Sequence, residues 1–183
     1  PHAPTPRGAK LDVLRAGMAR HGASHHFVST LDDICWITNL RGADVEYNPV
    51  FCAHLMVGNG AATLFVDASK FDAALVVRLA ADGVALAPYA EAAAALAALP
   101  AGSTLLLDPR RITLGFRQAV ASGVRVVEAP NPSMLAKARK SEAEADHVRE
   151  TMERDGAAMC AYYAWFEAAL GREAISELTV DER

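Results

Sequence analysis

Cysteine is scarce in this 183-residue chain, and the three present, Cys35, Cys52 and Cys160, are too few and too far apart to form a disulfide framework. Their apolar neighbours fit buried, reduced thiols and hence a reducing compartment. A dominant charge of one sign is lacking as well. The 18 basic and 22 acidic side chains are spread along the chain and leave no basic stripe to hold a phosphate backbone, which argues against nucleic acid as a partner. No apolar run approaches the ~18 residues of a membrane span. The Pro-alternating start, Pro1-His2-Ala3-Pro4-Thr5-Pro6, has neither the charged head nor the apolar stretch of a secretory signal. A soluble, cytoplasmic protein is expected, with no membrane partner, and the first residues read as an extended linker cut from a longer chain. With 52% hydrophobic and 22% charged residues the chain can bury a real core, which excludes disorder.

The familiar catalytic motifs are missing too. No Gly-Lys-Ser phosphate loop, Gly-x-Ser-x-Gly elbow or Cys-x-x-Cys pair occurs. Gly58-Asn59-Gly60 is not a dinucleotide fingerprint, because no third glycine follows at the required offset and the next segment reads as a strand. His21, His25 and His26 lie near Asp32 and Asp33, but neighbouring residues on a strand point to opposite faces and no histidine pair at i and i+4 falls on a helix. Asp32 and Asp33 point about 100° apart on a helix and are explained as first-turn acids. Cys52 and His54 share one face of an expected strand, yet Phe51, Ala53, Leu55 and Met56 make them a buried core pair rather than a nucleophile and base. No residue of this chain is therefore assigned as catalytic or as a metal ligand.

Periodicity organises what remains. Leu11, Leu14 and Met18 recur at helical spacing over 10–20, with Gly22 as the C-cap. A short strand at 27–29 precedes a helix over 30–37 capped by Thr30. Two apolar runs, 51–57 and 61–66, flank Gly58-Asn59-Gly60 and predict an antiparallel hairpin. Helices over 69–81, 91–99 and 113–120, the first capped by Ser69, then alternate with strands at 84–86, 104–107 and 124–127. Together they give an α/β sheet carrying one hairpin. The Pro130-Asn131-Pro132 break divides the chain into 1–130 and 131–183. Beyond it Lys137, Arg139 and Lys140 mark an amphipathic stretch, and Ser141 caps a long helix with an apolar face through Met152, Met159, Tyr163, Phe166 and Leu170. Another helix begins near Thr179.

The loop 39–49 stands apart, being polar, charged and longer than a connector requires. Internally, Arg41 is expected to pair with Asp44 and Asn48 to cap the turn before Pro49. Functionally, loops of this kind carry binding residues, and the two roles are compatible.

The run LDDICWITNLRGADVEYNPVF over 31–51 resembles the signature of the middle domain of large, three-domain Xaa-Pro aminopeptidases (aminopeptidase P). Gly8-Ala9-Lys10-Leu11 with Arg15 resembles the start of that domain, and MLAKARKSE over 134–142 resembles the lead into the catalytic domain. The resemblance implies a creatinase/prolidase N-terminal-like, ribonuclease H-like mixed sheet flanked by helices, followed by the first helices of a truncated "pita-bread" metallopeptidase domain. It implies hydrolysis of the bond before a penultimate proline by water bridging two divalent metal ions, usually manganese, whose ligands lie beyond this chain. None is carried over to a residue here, and the segment alone is expected to be inactive. The resemblance also implies short proline-containing peptides as partners of the full enzyme, and a homodimer. It places Arg41, Asp44, Tyr47 and Asn48 near the mouth of the catalytic cleft, the first two structural and the last two closer to substrate. Rival readings are a peptide- or protein-binding relative that has lost catalysis, as in histone-chaperone subunits, a creatinase- or prolidase-type hydrolase, and an unrelated α/β binding module.

Overall fold

The computed structural model describes residues 3–183, so Pro1 and His2 of the expected linker lie outside the described residues. The chain divides into two compact units, one formed by Thr5–Arg139 and the other by Lys140–Arg183 with Ala3 and Pro4.

In the first unit, α1 (Arg7–Arg20) and β1 (His25–Val28) lead into α2 (Leu31–Thr38). The hairpin follows as β2 (Ala53–Gly58) and β3 (Ala62–Val66), with Gly58 donating to the Ala61 carbonyl at 2.8 Å. Next come α3 (Ala73–Ala81), β4 (Val84–Ala87), α4 (Ala92–Ala97), β5 (Thr104–Leu107), α5 (Leu114–Ala119), β6 (Arg125–Glu128) and α6 (Pro132–Ala138). The strands form one sheet in the order β4-β3-β2-β1-β5-β6. β1/β2 and β2/β3 are antiparallel and the remaining pairs parallel, the mixed sheet that the alternation of elements implied.

Strand residues alternate between two apolar layers because successive side chains leave opposite faces. Val28, Leu55, Val57, Leu64, Val66 and Leu106 face Leu11, Leu14, Met18, Ile34, Ile37 and Leu79 from the helices of one side. Phe27, Met56, Phe65, Leu105 and Leu107 face Ala92, Leu96 and Phe116 on the other. Each large side chain so buried contributes on the order of 1.5–3 kcal/mol.

Several details differ from the expectations. Ser69 does not begin α3: it sits in a separate turn where its N–H donates to Asp67, and Asp72 caps α3 through the Leu75 N–H at 2.6 Å. All three cysteines are free, but only Cys35 is buried; Cys52 precedes β2 and is exposed, and Cys160 is exposed on a helix. Asn131 and Ser133 are buried and α6 packs against α1 and α2. Pro132 lies so close to α1 that a Cβ on Gly17 would stand 2.5 Å from its ring, so glycine is required there by close approach.

The second unit is built on α7 (Glu142–Ala169) and α8 (Glu177–Glu182). Ser141 and Glu144 form the reciprocal capping box expected at its start. Met152, Met159 and Tyr163 are exposed, while Tyr162, Trp165 and Phe166 form a ring cluster near its end.

Candidate functional site

The loop 39–52 hangs from the C-terminal end of α2, where a helix leaves carbonyls unpaired and its dipole is negative. Three basic side chains donate to carbonyls there. Arg7 Nε donates to the Thr38 carbonyl at 2.7 Å, buried Lys10 Nζ to that of Trp36 at 2.9 Å, and Arg41 Nη1 to those of Cys35 and Leu40 at 3.0 and 2.8 Å. Lys10 also reaches Asn39 Oδ1 and lies over the Trp36 ring. Asn39 ends the helix in the left-handed conformation, φ +56°.

The expected Arg41–Asp44 pair does not form. Arg41 serves the helix end, and Asp44 accepts instead from the Cys52 N–H at 2.6 Å and pairs with Lys70, which follows β3. The Lys70 ammonium, then the Cys52 amide, hold the Asp44 carboxyl below the usual carboxylate range. Nor does the Asn48 side chain cap the turn. The backbone closes it, with Asn48 N–H on Val45 O at 3.2 Å and Val50 N–H on Asn48 O at 2.7 Å. Gly42 faces Phe51 so closely that an added Cβ would lie 2.6 Å from the Phe51 Cβ.

Tyr47 and Asn48 occupy the loop's exposed tip. Tyr47 is 95% exposed and held at φ +59°, a conformation that costs a non-glycine residue on the order of 1 kcal/mol. Arg41, Asp44 and Lys70, with Leu40, Phe51, Phe71 and Leu75, line a cavity of about 190 Å³. Lys70, Phe71 and Leu75 were invisible as site residues in the sequence, since they belong to the segment after the hairpin and meet the loop only through the fold.

The opposite end of α2 carries a second polar cluster. Asp33, wholly buried, accepts from Thr30 Oγ1 at 2.6 Å and Asn131 Nδ2 at 3.3 Å and lies 2.8 Å from Lys137 Nζ. Asp32 pairs with the same lysine. These acids are thus placed as first-turn residues, and both are engaged by the Lys137 ammonium. Asp108 accepts from the Asn131 N–H at 3.1 Å and completes the attachment of the segment before α6.

The histidines are dispersed: His21 is exposed, His25 half-buried beside Ser24, and His26 buried with Nδ1 3.0 Å from the Leu106 carbonyl. His54 lies beneath Tyr89, Phe27 and Phe116 with Nδ1 3.1 Å from Ser29 Oγ, and Cys52 is not its partner. Burial pushes the pKa of His26, His54 and His25 down. Among the described residues no three His, Cys, Asp or Glu side chains gather so as to hold a metal ion, and no step of a metal reaction is assigned to them.

With this geometry, the profile of the creatinase/prolidase N-terminal domain matches residues 2–144, more than half of the chain. The chain belongs to that family. Over 180 residues, 94% of its length, this family member is 33% identical to a probable Xaa-Pro aminopeptidase P of Sclerotinia sclerotiorum, of which it covers 30%. Its fold matches an X-prolyl aminopeptidase of Caenorhabditis elegans with a TM-score of 0.86 at 22% identity, over 99% of this chain and 30% of that one. The N-terminal domain of the FACT complex subunit SPT16 from chickpea matches at 0.64 and 12% identity, over 91% of this chain and 46% of that one. The chain thus spans about three tenths of the aminopeptidase sequence it matches. No described helix is long and apolar enough to cross a membrane.

Proposed function

We propose that this domain is a non-catalytic part of a cytoplasmic, metal-dependent Xaa-Pro aminopeptidase, and that its loop 39–52 forms part of the wall past which short peptides reach the catalytic centre. The observation that carries the reading is identity of 33% sustained over nearly the whole chain to a protein of that name. Fold alone does not choose, since a similar fold occurs in a FACT subunit.

Division of labour makes physical sense. Hydrolysis by metal-bound water requires a rigid ligand cage, for which two divalent ions, manganese by the resemblance, would be held by residues outside this chain. Selection of short peptides needs only walls and anchoring points, which can come from another domain. Here the wall is an exposed loop on a fixed base: Arg41 ties it to the end of α2 and Gly42 lies close against Phe51, while Tyr47 is exposed in a strained conformation. Strain retained at an exposed aromatic is a mark of a functional loop. The full-length protein would act as a homodimer.

The test is release of the N-terminal residue from an Arg-Pro-Pro peptide by the full-length protein with manganese. Release from that peptide but not from Arg-Ala-Pro is expected, with no release by the 183-residue chain alone. Absence of X-Pro cleavage by the full-length protein would overturn the reading.

A further inference from the structure

The cavity beneath the loop is lined by two kinds of chemistry. Leu40, Phe51, Phe71 and Leu75 give it apolar surface, and the exposed Arg41, Lys70 and Asp44 give it charge, with one positive in excess. Asp44 is committed, for its carboxylate already receives the Lys70 ammonium and the Cys52 N–H. Arg41 is committed on one side only. Its Nη1 holds two main-chain carbonyls, so the guanidinium plane is pinned, and its Nε and Nη2 make no hydrogen bond among the described residues. That remaining edge has the geometry that grips a carboxylate with two parallel hydrogen bonds.

At about 190 Å³ the cavity is smaller than the roughly 300 Å³ at which pockets for drug-sized ligands begin, so it suits a single residue. An apolar side chain would lie against Phe51 and Phe71 while an anionic group attached to it met Arg41. The part of a short peptide with that composition is its C-terminal residue.

We infer that the cavity is a subsite for the C-terminal residue of a short peptide, with Arg41 receiving the α-carboxylate and the Leu40–Phe51–Phe71–Leu75 walls an apolar side chain. This deepens the proposed function and rests on its placing the loop at the peptide's path. Such a subsite measures peptide length, because a carboxylate anchored at a fixed point limits how many residues fit between it and the scissile bond. A C-terminal amide lacks the charge, and a polar C-terminal side chain leaves the walls unfilled.

The probes are N-acetyl-leucine and N-acetyl-leucinamide, titrated into the isotope-labelled 183-residue chain and followed by amide chemical shifts. Saturable shifts at Gly42, Phe51, Phe71 and Leu75 are expected with the carboxylate, and binding at least about tenfold weaker with the amide. Arg41→Lys keeps the charge but not the two-pronged edge and should lose most of that preference; its spectrum reports directly whether the fold survives. Equal binding of the two probes, shifts confined to other regions, or no shift with either probe would overturn the inference. Kinetics of the full-length protein separate it from the wider reading. X-Pro cleavage with equal KM for free and amidated C-termini defeats the subsite alone, whereas binding of N-acetyl-leucine by a protein that cleaves no X-Pro peptide defeats the aminopeptidase role alone.

Discussion

Lys137 Nζ lies 2.8 Å from Asp33 Oδ1, a carboxylate with no solvent exposure, and so fastens α6 to the first turn of α2. The charge is buried but not isolated, since Thr30 and Asn131 donate to the other oxygen. Removing one partner of a buried pair leaves the other uncompensated and costs roughly 3–5 kcal/mol. Lys137→Met should lie at or below the lower end, because Lys137 is 26% exposed and Asp33 keeps its other donors. Urea unfolding of the chain checks this, with a change below about 0.5 kcal/mol counting against the clamp.

The same cluster contributes to the pH response at both extremes. Burial works against the charged forms, yet pairing with Lys137 prevails and lowers the Asp32 pKa, and pairing with Asp32 and Asp33 raises that of Lys137. The Asp32 contribution is present above its unfolded value near 4 and is lost as pH falls through its lower folded value. The Lys137 contribution is present below about 10.4 and is lost as pH rises through the higher folded value. Lys137→Met should remove both dependences; a wild-type profile in that variant would contradict them.

Histidine burial acts in between. His26 and His54 have lowered pKa values because burial disfavours the cation, so the unfolded chain binds more protons below about 6.5. Stability should fall as pH is taken from 7 toward 5, with a slope of at most about 1.4 kcal/mol per pH unit for each histidine. Melting curves across that window should flatten in His54→Phe, which keeps an aromatic ring stacked on Phe27 and edge-on to Phe116. An unchanged slope would assign the effect elsewhere.

Within the loop, coupling should follow the contacts observed. Asp44→Ala and Lys70→Ala should be measurably non-additive, because the two side chains pair directly. Arg41→Ala and Asp44→Ala should simply add. Gly42→Ala drives a Cβ to within 2.6 Å of the Phe51 Cβ and should cost about 1–3 kcal/mol by overpacking. Thermal unfolding of the variants checks all three statements, and strong Arg41–Asp44 coupling would contradict the assignment of Arg41 to the end of α2.

Element order was legible because it rests on local periodicity: Leu11, Leu14 and Met18 on α1, the Gly58-Asn59-Gly60 turn, and the Ser141 capping box all behave as spacing implied. Partner choice was not legible. Arg41 and Asp44 are near in sequence and opposite in charge, yet the Cys35 and Leu40 carbonyls at the end of α2 hold one and Lys70, brought over by the β2–β3 hairpin, holds the other. The apolar neighbours of Cys52 predict burial, but it precedes β2, is exposed, and its N–H donates to Asp44. The 131–139 segment reads as a break followed by a charge run, and only tertiary structure shows Asn131 and Lys137 converging on Asp33.

The most direct measurement is kcat/KM of the full-length protein on short X-Pro peptides for Tyr47→Ala and Asn48→Ala, each beside its melting temperature. Both side chains are exposed and neither carries the loop's internal hydrogen bonds, so melting temperatures should stay within a few degrees. Catalytic efficiency should fall several-fold, chiefly through KM, as expected when a residue contributes binding away from the reacting bond. Unchanged kinetics in both variants, with full-length protein active on X-Pro peptides, would contradict the placement of this loop in the path of the substrate.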